Sequence, residues 1–161
     1  FSKLMRNILD NSKHKFITLD KEIQTLRLYI ELESARLEHF FDYKISTDSN
    51  VNTDTTMIPP LAIQPFVENA IWHGITSTEK KEISINVSER SDYIEITIED
   101  SGVGIKNSKH QNSSTKRKSY GTKIAADSLN QFFNSNVEIL TEDLGENLNS
   151  INQNKTQMKI Y

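Results

Sequence analysis

Residues 58–75 read IPPLAIQPFVENAIWHGI, a stretch that sets a carboxylate, an amide and an imidazole along one short apolar segment. Pro59 and Pro60 suit a first helical turn, where backbone N–H groups lack intrahelical partners, and Gly74 suits the position just past a C-cap. The pattern predicts one helix of about four turns. Ile63, Val67, Ala70, Ile71 and Gly74 fall at offsets of four, seven, eight and eleven, the period of a face buried against a core. Glu68 and Asn69 stand just off that face, and Asn69 and His73 are neighbours one turn apart. Taken alone, the helix allows two readings: polar groups gathered for a ligand, or Glu68 and His73 simply solvated.

Residues 93–100, YIEITIED, decide between them. Ile94, Ile96 and Ile98 alternate with Glu95, Thr97 and Glu99, which predicts a strand with one buried and one wet face. Asp100 keeps the parity of the isoleucines, so its carboxylate points to the apolar side just before Ser101-Gly102-Val103-Gly104. A buried carboxylate without company would cost several kcal/mol, so this position asks for a partner or ligand. Gly102 and Gly104 allow close approach of a ligand to the backbone. DxGxG alone is a weak signal, because Asp-Gly turns are frequent. ENxxxHG on a helix followed by DxGxG at a strand end is far more specific, and describes a pocket with an acid at its floor.

ENAIWHG resembles the N-box, and DSGVGI the first glycine box, of the GHKL ATPases, the superfamily of gyrase, MutL, the heat-shock chaperone ATPases and histidine kinases. The wording of residues 58–75 is similar to that of LytS/YehU-type sensor histidine kinases. FSKLMRNIL and ITLDKEIQTLRLYIELESARL resemble the helices that precede the ATPase domain there. The resemblance covers nearly the whole chain and is strongest over residues 17–105.

The 161 residues and 18.5 kDa suffice for one domain of ordinary size with an extra helical arm. Hydrophobic residues at 35%, charged residues at 25% and a net charge of −3 fit a globular chain with no global pull toward nucleic acid or an anionic membrane. Without cysteine there is neither a disulfide nor a thiolate metal site. No apolar run approaches the ~20 residues of a membrane span, and residues 1–10 lack a signal-peptide plan. Because the chain begins with Phe1, it is expected to be a piece of a longer protein.

Phe1, Leu4, Met5 and Ile8 have helical spacing and read as the end of a helix. Thr18 is an N-cap candidate before Asp20 and Glu22, acids suited to the first turn of a helix dipole. Leu19, Ile23, Leu26, Ile30, Leu37 and Phe40 then form a heptad seam, widened by Leu28, Tyr29, Leu32 and Ala35. Such a helix lies on its own domain or joins a dimerisation bundle; the resemblance favours the bundle. Alternation predicts strands through Phe41, Tyr43 and Ile45, through Ile83, Ile85 and Val87, and through residues 93–100, the last two joined as a hairpin at Arg90-Ser91-Asp92. Residues 137–140 and 157–161 suit a closing antiparallel pair.

Residues 105–120 carry Lys106, Lys109, His110, Lys116, Arg117 and Lys118 with no acid among them. A loop of this composition stays solvated or closes over polyphosphate, and its place after the glycine turn favours a nucleotide lid. Residues 121–133 read as a helix with Ile124, Ala125, Leu129 and Phe132 on one side. In the family this helix opens with a glycine-rich box whose N–H groups meet the phosphates. Here the matching run is Ser119-Tyr120-Gly121-Thr122, with one glycine where the usual pattern has two, and the family's Gly-Thr before the last strand appears as Lys155-Thr156.

The resemblance implies an α+β fold: a Bergerat-type ATPase sandwich, a mixed and mostly antiparallel sheet with helices on one face. This ATP-binding domain would span residues 41–161, behind a helical dimerisation segment at residues 1–40. It implies ATP and Mg²⁺ as cofactors, with Asn69 on the metal, Glu68 acting as or supporting the catalytic base, and His73 on the phosphate side. Asp100 would accept from the adenine amino group, Gly102 and Gly104 would shape the turn beside the base, and Lys118, Gly121 and Thr122 would face the phosphates. The implied partners are a response regulator and a second copy of the chain through the N-terminal helices. The implied place is the cytoplasmic side of a protein anchored in the inner membrane by other segments. The family's phosphate-accepting histidine box has no match here, His14 and His39 being poor substitutes, so autophosphorylation is not expected of this chain alone. Two other classes fit less of the sequence: a GHKL ATPase outside two-component signalling, and a catalytically silent scaffold, which the thin second glycine box supports.

Overall fold

The computed structural model describes residues 2–37, 41–74, 81–101, 137–143 and 154–160. In chain order its elements are α1 (Ser2–Asn11), β1 (Ile17–Thr18), α2 (Leu19–Arg36), β2 (Asp42–Thr47), β3 (Met57–Ile58) and α3 (Gln64–Asn69), which a π-helical turn (Ala70–Gly74) continues. Then come β4 (Glu82–Glu89), β5 (Ile94–Asp100), β6 (Val137–Asp143) and β7 (Asn154–Ile160). The main sheet has five strands in the order β2-β4-β5-β7-β6, with β2 parallel to β4 and every other pair antiparallel. This is the α+β arrangement expected, including the hairpin closed by the Arg90 N–H donating to Tyr93 O at 2.9 Å, and the β6–β7 pair.

One face of the sheet carries Ile83, Ile85, Val87, Ile96, Ile98, Met158 and Ile160, all buried, and these join the buried sides of the three helices in one continuous core. Register puts Ile85 opposite Ile98 and Val87 opposite Ile96, so the period-two pattern of both strands feeds one layer. The other face is not the wet surface that alternation predicts. Glu95 and Thr97 are buried there because β5 is the central strand, and long polar side chains of its neighbours lie over them. Arg90 Nη2 and Ser88 Oγ donate to Glu95 Oε2 at 2.7 and 3.3 Å, Gln157 Nε2 donates to its Oε1, and Lys155 Nζ stands 3.6 Å from Glu99. Alternation distinguishes the two faces; it does not show that a polar ladder can cover the second.

α2 starts where its sequence says it should. Thr18 is the N-cap, its Oγ1 accepting from Lys21 N at 3.4 Å. The next orphan donors, Leu19 N and Asp20 N, reach Thr56 O and Thr53 O at 2.8 and 3.0 Å. The residue 53–56 loop is itself held by Asn52 O, which accepts from the Thr56 N–H at 3.0 Å and the Thr56 hydroxyl at 2.8 Å. Of the seam residues, Leu19, Ile23, Leu26 and Ile30 are buried within the chain's own core, Leu37 is half-buried and Phe40 lies outside the described residues, while α1 rests on α2 through Asn11 Nδ2 donating to Thr25 Oγ1 at 3.0 Å.

Residues 58–75 depart from the single helix expected of them. Met57 and Ile58 pair antiparallel with Thr18 and Ile17, so the chain is still extended there. A residue before proline avoids the helical region, which holds Ile58 and Pro59 extended, and Leu61 follows at φ 59° in the left-handed region. The helix therefore begins only at Gln64, with Pro65 in its first turn. Its apolar phase is as expected, with Ile63, Val67, Ala70 and Ile71 all buried.

Candidate active site

α3 opens without a cap of its own: Ile63 at the N-cap position has no side chain that can accept. The acceptor comes from α2. Glu22 Oε2 accepts from Leu61 N at 2.9 Å and Glu22 Oε1 from Ile63 N at 3.1 Å, and the Ala62 N–H adds a weaker contribution. Glu22 is 2% exposed. Burial pushes its carboxyl up to about 7, against the pull of the three N–H groups. The sequence assigned Glu22 to the dipole of its own helix. The sign that it belongs elsewhere is its phase, three residues after Leu19 and four before Leu26, both fully buried.

Glu68 and Asn69 end α3 side by side, each half-buried. One turn earlier, Gln64 Nε2 donates to Glu68 Oε1 at 2.7 Å, while Gln64 Oε1 is buried with no hydrogen-bond partner among the described residues. The π-helical turn then carries Trp72 to the end of α2. The Arg36 guanidinium lies 4.2 Å from the Trp72 ring centroid, and Glu33 Oε2 receives Arg36 Nε and Nη2 at 3.2 and 2.7 Å. The Trp72 indole N–H donates to the Tyr29 hydroxyl. Burial, together with the Glu68 and Glu33 carboxylates, pushes the Tyr29 phenol up, so it stays neutral. Arg36, Trp72 and Gln64 were not singled out by sequence, and Tyr29 was read only as apolar surface of α2; the row Glu22, Tyr29, Glu33, Arg36 at helical spacing was the available signal. The backbone of His73 lies in the π-helical turn, and its side chain is outside the described residues.

The π-helical turn packs against β5, which brings the end of α3 to the strand that finishes at Asp100. Asp100 is 8% exposed and opposes Ile83 on β4 and Asn154 on β7, the buried parity expected of it. Ser101, also buried, fixes the direction in which the chain leaves the strand. Its Oγ accepts from Glu82 N at 3.0 Å and its N–H donates to Glu82 O at 3.1 Å. Gly102, Gly104, Lys118, Gly121 and Thr122, with the lid expected at residues 105–120 and the helix expected at residues 121–133, lie outside the described residues. Lys155 and Thr156 stand inside β7, not before it.

The site so far assembled has a carboxylate and an amide at a helix end, a buried amide oxygen one turn away, and a buried carboxylate at the end of the neighbouring strand. Among the described residues no three His, Cys or acidic side chains form a metal cage. The side-chain oxygens of Asn69 and Glu68, half-buried at the helix end, are of the type that suits a hard cation which takes few protein ligands and completes its shell with water and phosphate oxygens, as Mg²⁺ does.

A family model described as histidine kinase-, DNA gyrase B- and HSP90-like ATPase matches residues 59–157, and one described as histidine kinase matches residues 1–41. The chain is 35% identical over 105 residues to the sensor protein LytS of Staphylococcus epidermidis, covering 65% of this chain and 17% of that protein. It is 36% identical over 110 residues to the sensor histidine kinase/phosphatase LytS of Staphylococcus aureus, covering 67% and 18%. It thus spans less than a fifth of the length of these relatives. The fold is shared with the catalytic domain of histidine kinase ThkA, at TM-score 0.64 and 18% identity over 90% of this chain and 93% of that one. Full-length ShkA in complex with AMPPNP matches at TM-score 0.62 and 14% identity, over 98% and 35%.

Proposed function

Because the chain belongs to the histidine kinase-, DNA gyrase B- and HSP90-like ATPase family, we propose that it is the ATP-binding catalytic domain of a two-component sensor histidine kinase. The γ-phosphoryl group of ATP would pass to a histidine, its bond to the β-phosphate oxygen breaking as a P–N bond forms, and then to a response regulator. The observation that carries this reading is the meeting of two ends: α3, finishing in Glu68 and Asn69, and β5, finishing in buried Asp100, linked by a π-helical turn that packs on the strand.

In this reading Asp100 accepts from the exocyclic amine of adenine, and Ser101 secures the end of its strand through Glu82. Asn69 supplies an oxygen to Mg²⁺, which when bound neutralises charge on the phosphates. Glu68, kept in place by Gln64, acts at or supports the base at the reacting end. His73 and the run Lys118, Gly121 and Thr122 serve the phosphate side. A second copy of the chain would join through the N-terminal helices. The seam residues Leu19, Ile23, Leu26 and Ile30 are already covered inside the chain, so the exposed Met5 and Leu9 of α1, one turn apart, are the edge this contact would use. The whole protein would be anchored in the inner membrane with this domain on the cytoplasmic side. No helix among the described residues is long and apolar enough to cross a membrane.

Titration with a fluorescent ATP analogue tests the reading: saturable binding that tightens with Mg²⁺ is expected. Absence of binding would favour a silent scaffold, the alternative that the single glycine of Ser119-Tyr120-Gly121-Thr122 supports.

A further inference from the structure

We propose that Glu22 is a positioning residue of the nucleotide site: reaching across from α2, it fixes the start of α3 and through it the placing of Glu68 and Asn69. The inference rests on the function proposed above and adds to it a residue outside the pocket motifs.

α3 has only six residues before the π-helical turn, so little helix exists to absorb a shift at its start. Its rotation is set by Ile63, Val67 and Ile71, each fully buried. Its axial position is set by the two N–H groups that end on the oxygens of one carboxylate. Leu61 is held in the left-handed region, a conformation that a non-glycine residue keeps only when its surroundings enforce it, and its N–H is one of the two on Glu22. The same helix grips the far end of the segment. Tyr29, two turns along α2 from Glu22, receives the Trp72 indole N–H, and Arg36 stacks on the Trp72 ring. α2 therefore touches the chain just before α3 and just after Asn69.

Stability alone does not account for an acid at this position. Its burial raises the pKa, which means that the ionised form costs free energy in the folded state. What the side chain provides in its ionised form is a pair of acceptors at a fixed spacing, so binding is compared above pH 7, where that form prevails.

The test uses the chain with Mg·ATP, metal-free ATP and adenosine as probes, comparing the parent with Glu22→Gln and Asp100→Asn. Glu22→Gln keeps the size of the side chain but turns one acceptor into a donor facing an N–H. It is expected to weaken Mg·ATP binding about tenfold, as small displacements of positioned groups do, while adenosine affinity stays within about twofold. Unchanged Mg·ATP affinity overturns the inference, and so does an equal loss for adenosine, which would mark Glu22 as merely structural. Should Glu22→Gln not fold, the parent decides: the Leu61 and Ile63 amide resonances must shift on adding Mg·ATP and stay in place with adenosine. Resonances that ignore Mg·ATP overturn the inference. A parent that does not bind Mg·ATP, or an Asp100→Asn variant that binds as the parent does, removes the proposed function and this inference with it. A binding parent matched by Glu22→Gln removes this inference alone.

Discussion

Asp100 is buried at the end of the central strand and carries the recognition of the base in the proposed function. Asp100→Asn keeps the shape but replaces a charged acceptor by a neutral one that also presents donors to the adenine amine. Loss of a charge-assisted hydrogen bond costs roughly 1.5–3 kcal/mol, about tenfold to a hundredfold in affinity. Isothermal titration with ATP is expected to show that loss with an unchanged melting temperature, and equal affinity would remove Asp100 from the pocket. The parity of YIEITIED was enough to put this carboxylate on the buried side of its strand. Glu22 escaped the same kind of reading because an acid in a first helical turn has a ready local explanation. Only the fold shows that three N–H groups of another segment, 39 to 41 residues away, converge on it.

Among the elements, α3 and its π-helical turn carry the proposed chemistry, with Asn69 as the proposed metal ligand. Asn69→Ala is expected to flatten the difference between ATP affinity with and without Mg²⁺ while sparing metal-free binding. Equal loss in both conditions would show that Asn69 holds the helix and not the ion. The apolar period of residues 63–71 was legible, as were the Thr18 cap, the β4–β5 hairpin and the β6–β7 pair, since each rests on local chemistry. The start of α3 was not, because Pro59 and Pro60 satisfy the first turn of a helix and the bend before one equally well. The β1–β3 pairing that decides the matter joins residues some forty positions apart. Equally hidden was the parallel β2–β4 pair, a non-local contact that alternation in either strand cannot announce.

For the whole molecule, two buried acids shape stability in opposite directions and in different pH windows. The Arg90 guanidinium, helped by Gln157 and Ser88, holds Glu95 below the usual carboxylate range. Its contribution is therefore present above the unfolded value near 4.5 and lost as pH falls. Glu22 is raised from 4.5 to about 7, so its contribution is full below 4.5 and lost as pH climbs to 7. That shift corresponds to something on the order of 3 kcal/mol, or roughly 6–12 °C in melting temperature for a chain of this size. Thermal unfolding from pH 4 to 8 is expected to show the parent losing stability between pH 5 and 7, with Glu22→Gln nearly flat over that interval. Parallel curves for the two proteins would mean that Glu22 titrates normally in the fold.

Trp72 is the only tryptophan in the chain, 39% exposed, and sits three residues past Asn69 beneath the Arg36 guanidinium. Light absorbed at the red edge of the protein spectrum therefore excites a single ring, placed between α2 and the proposed phosphate end of the pocket. The protein contains its own dye, and the emission of the unlabelled chain reports on the joint between its N-terminal helices and the residues proposed for catalysis.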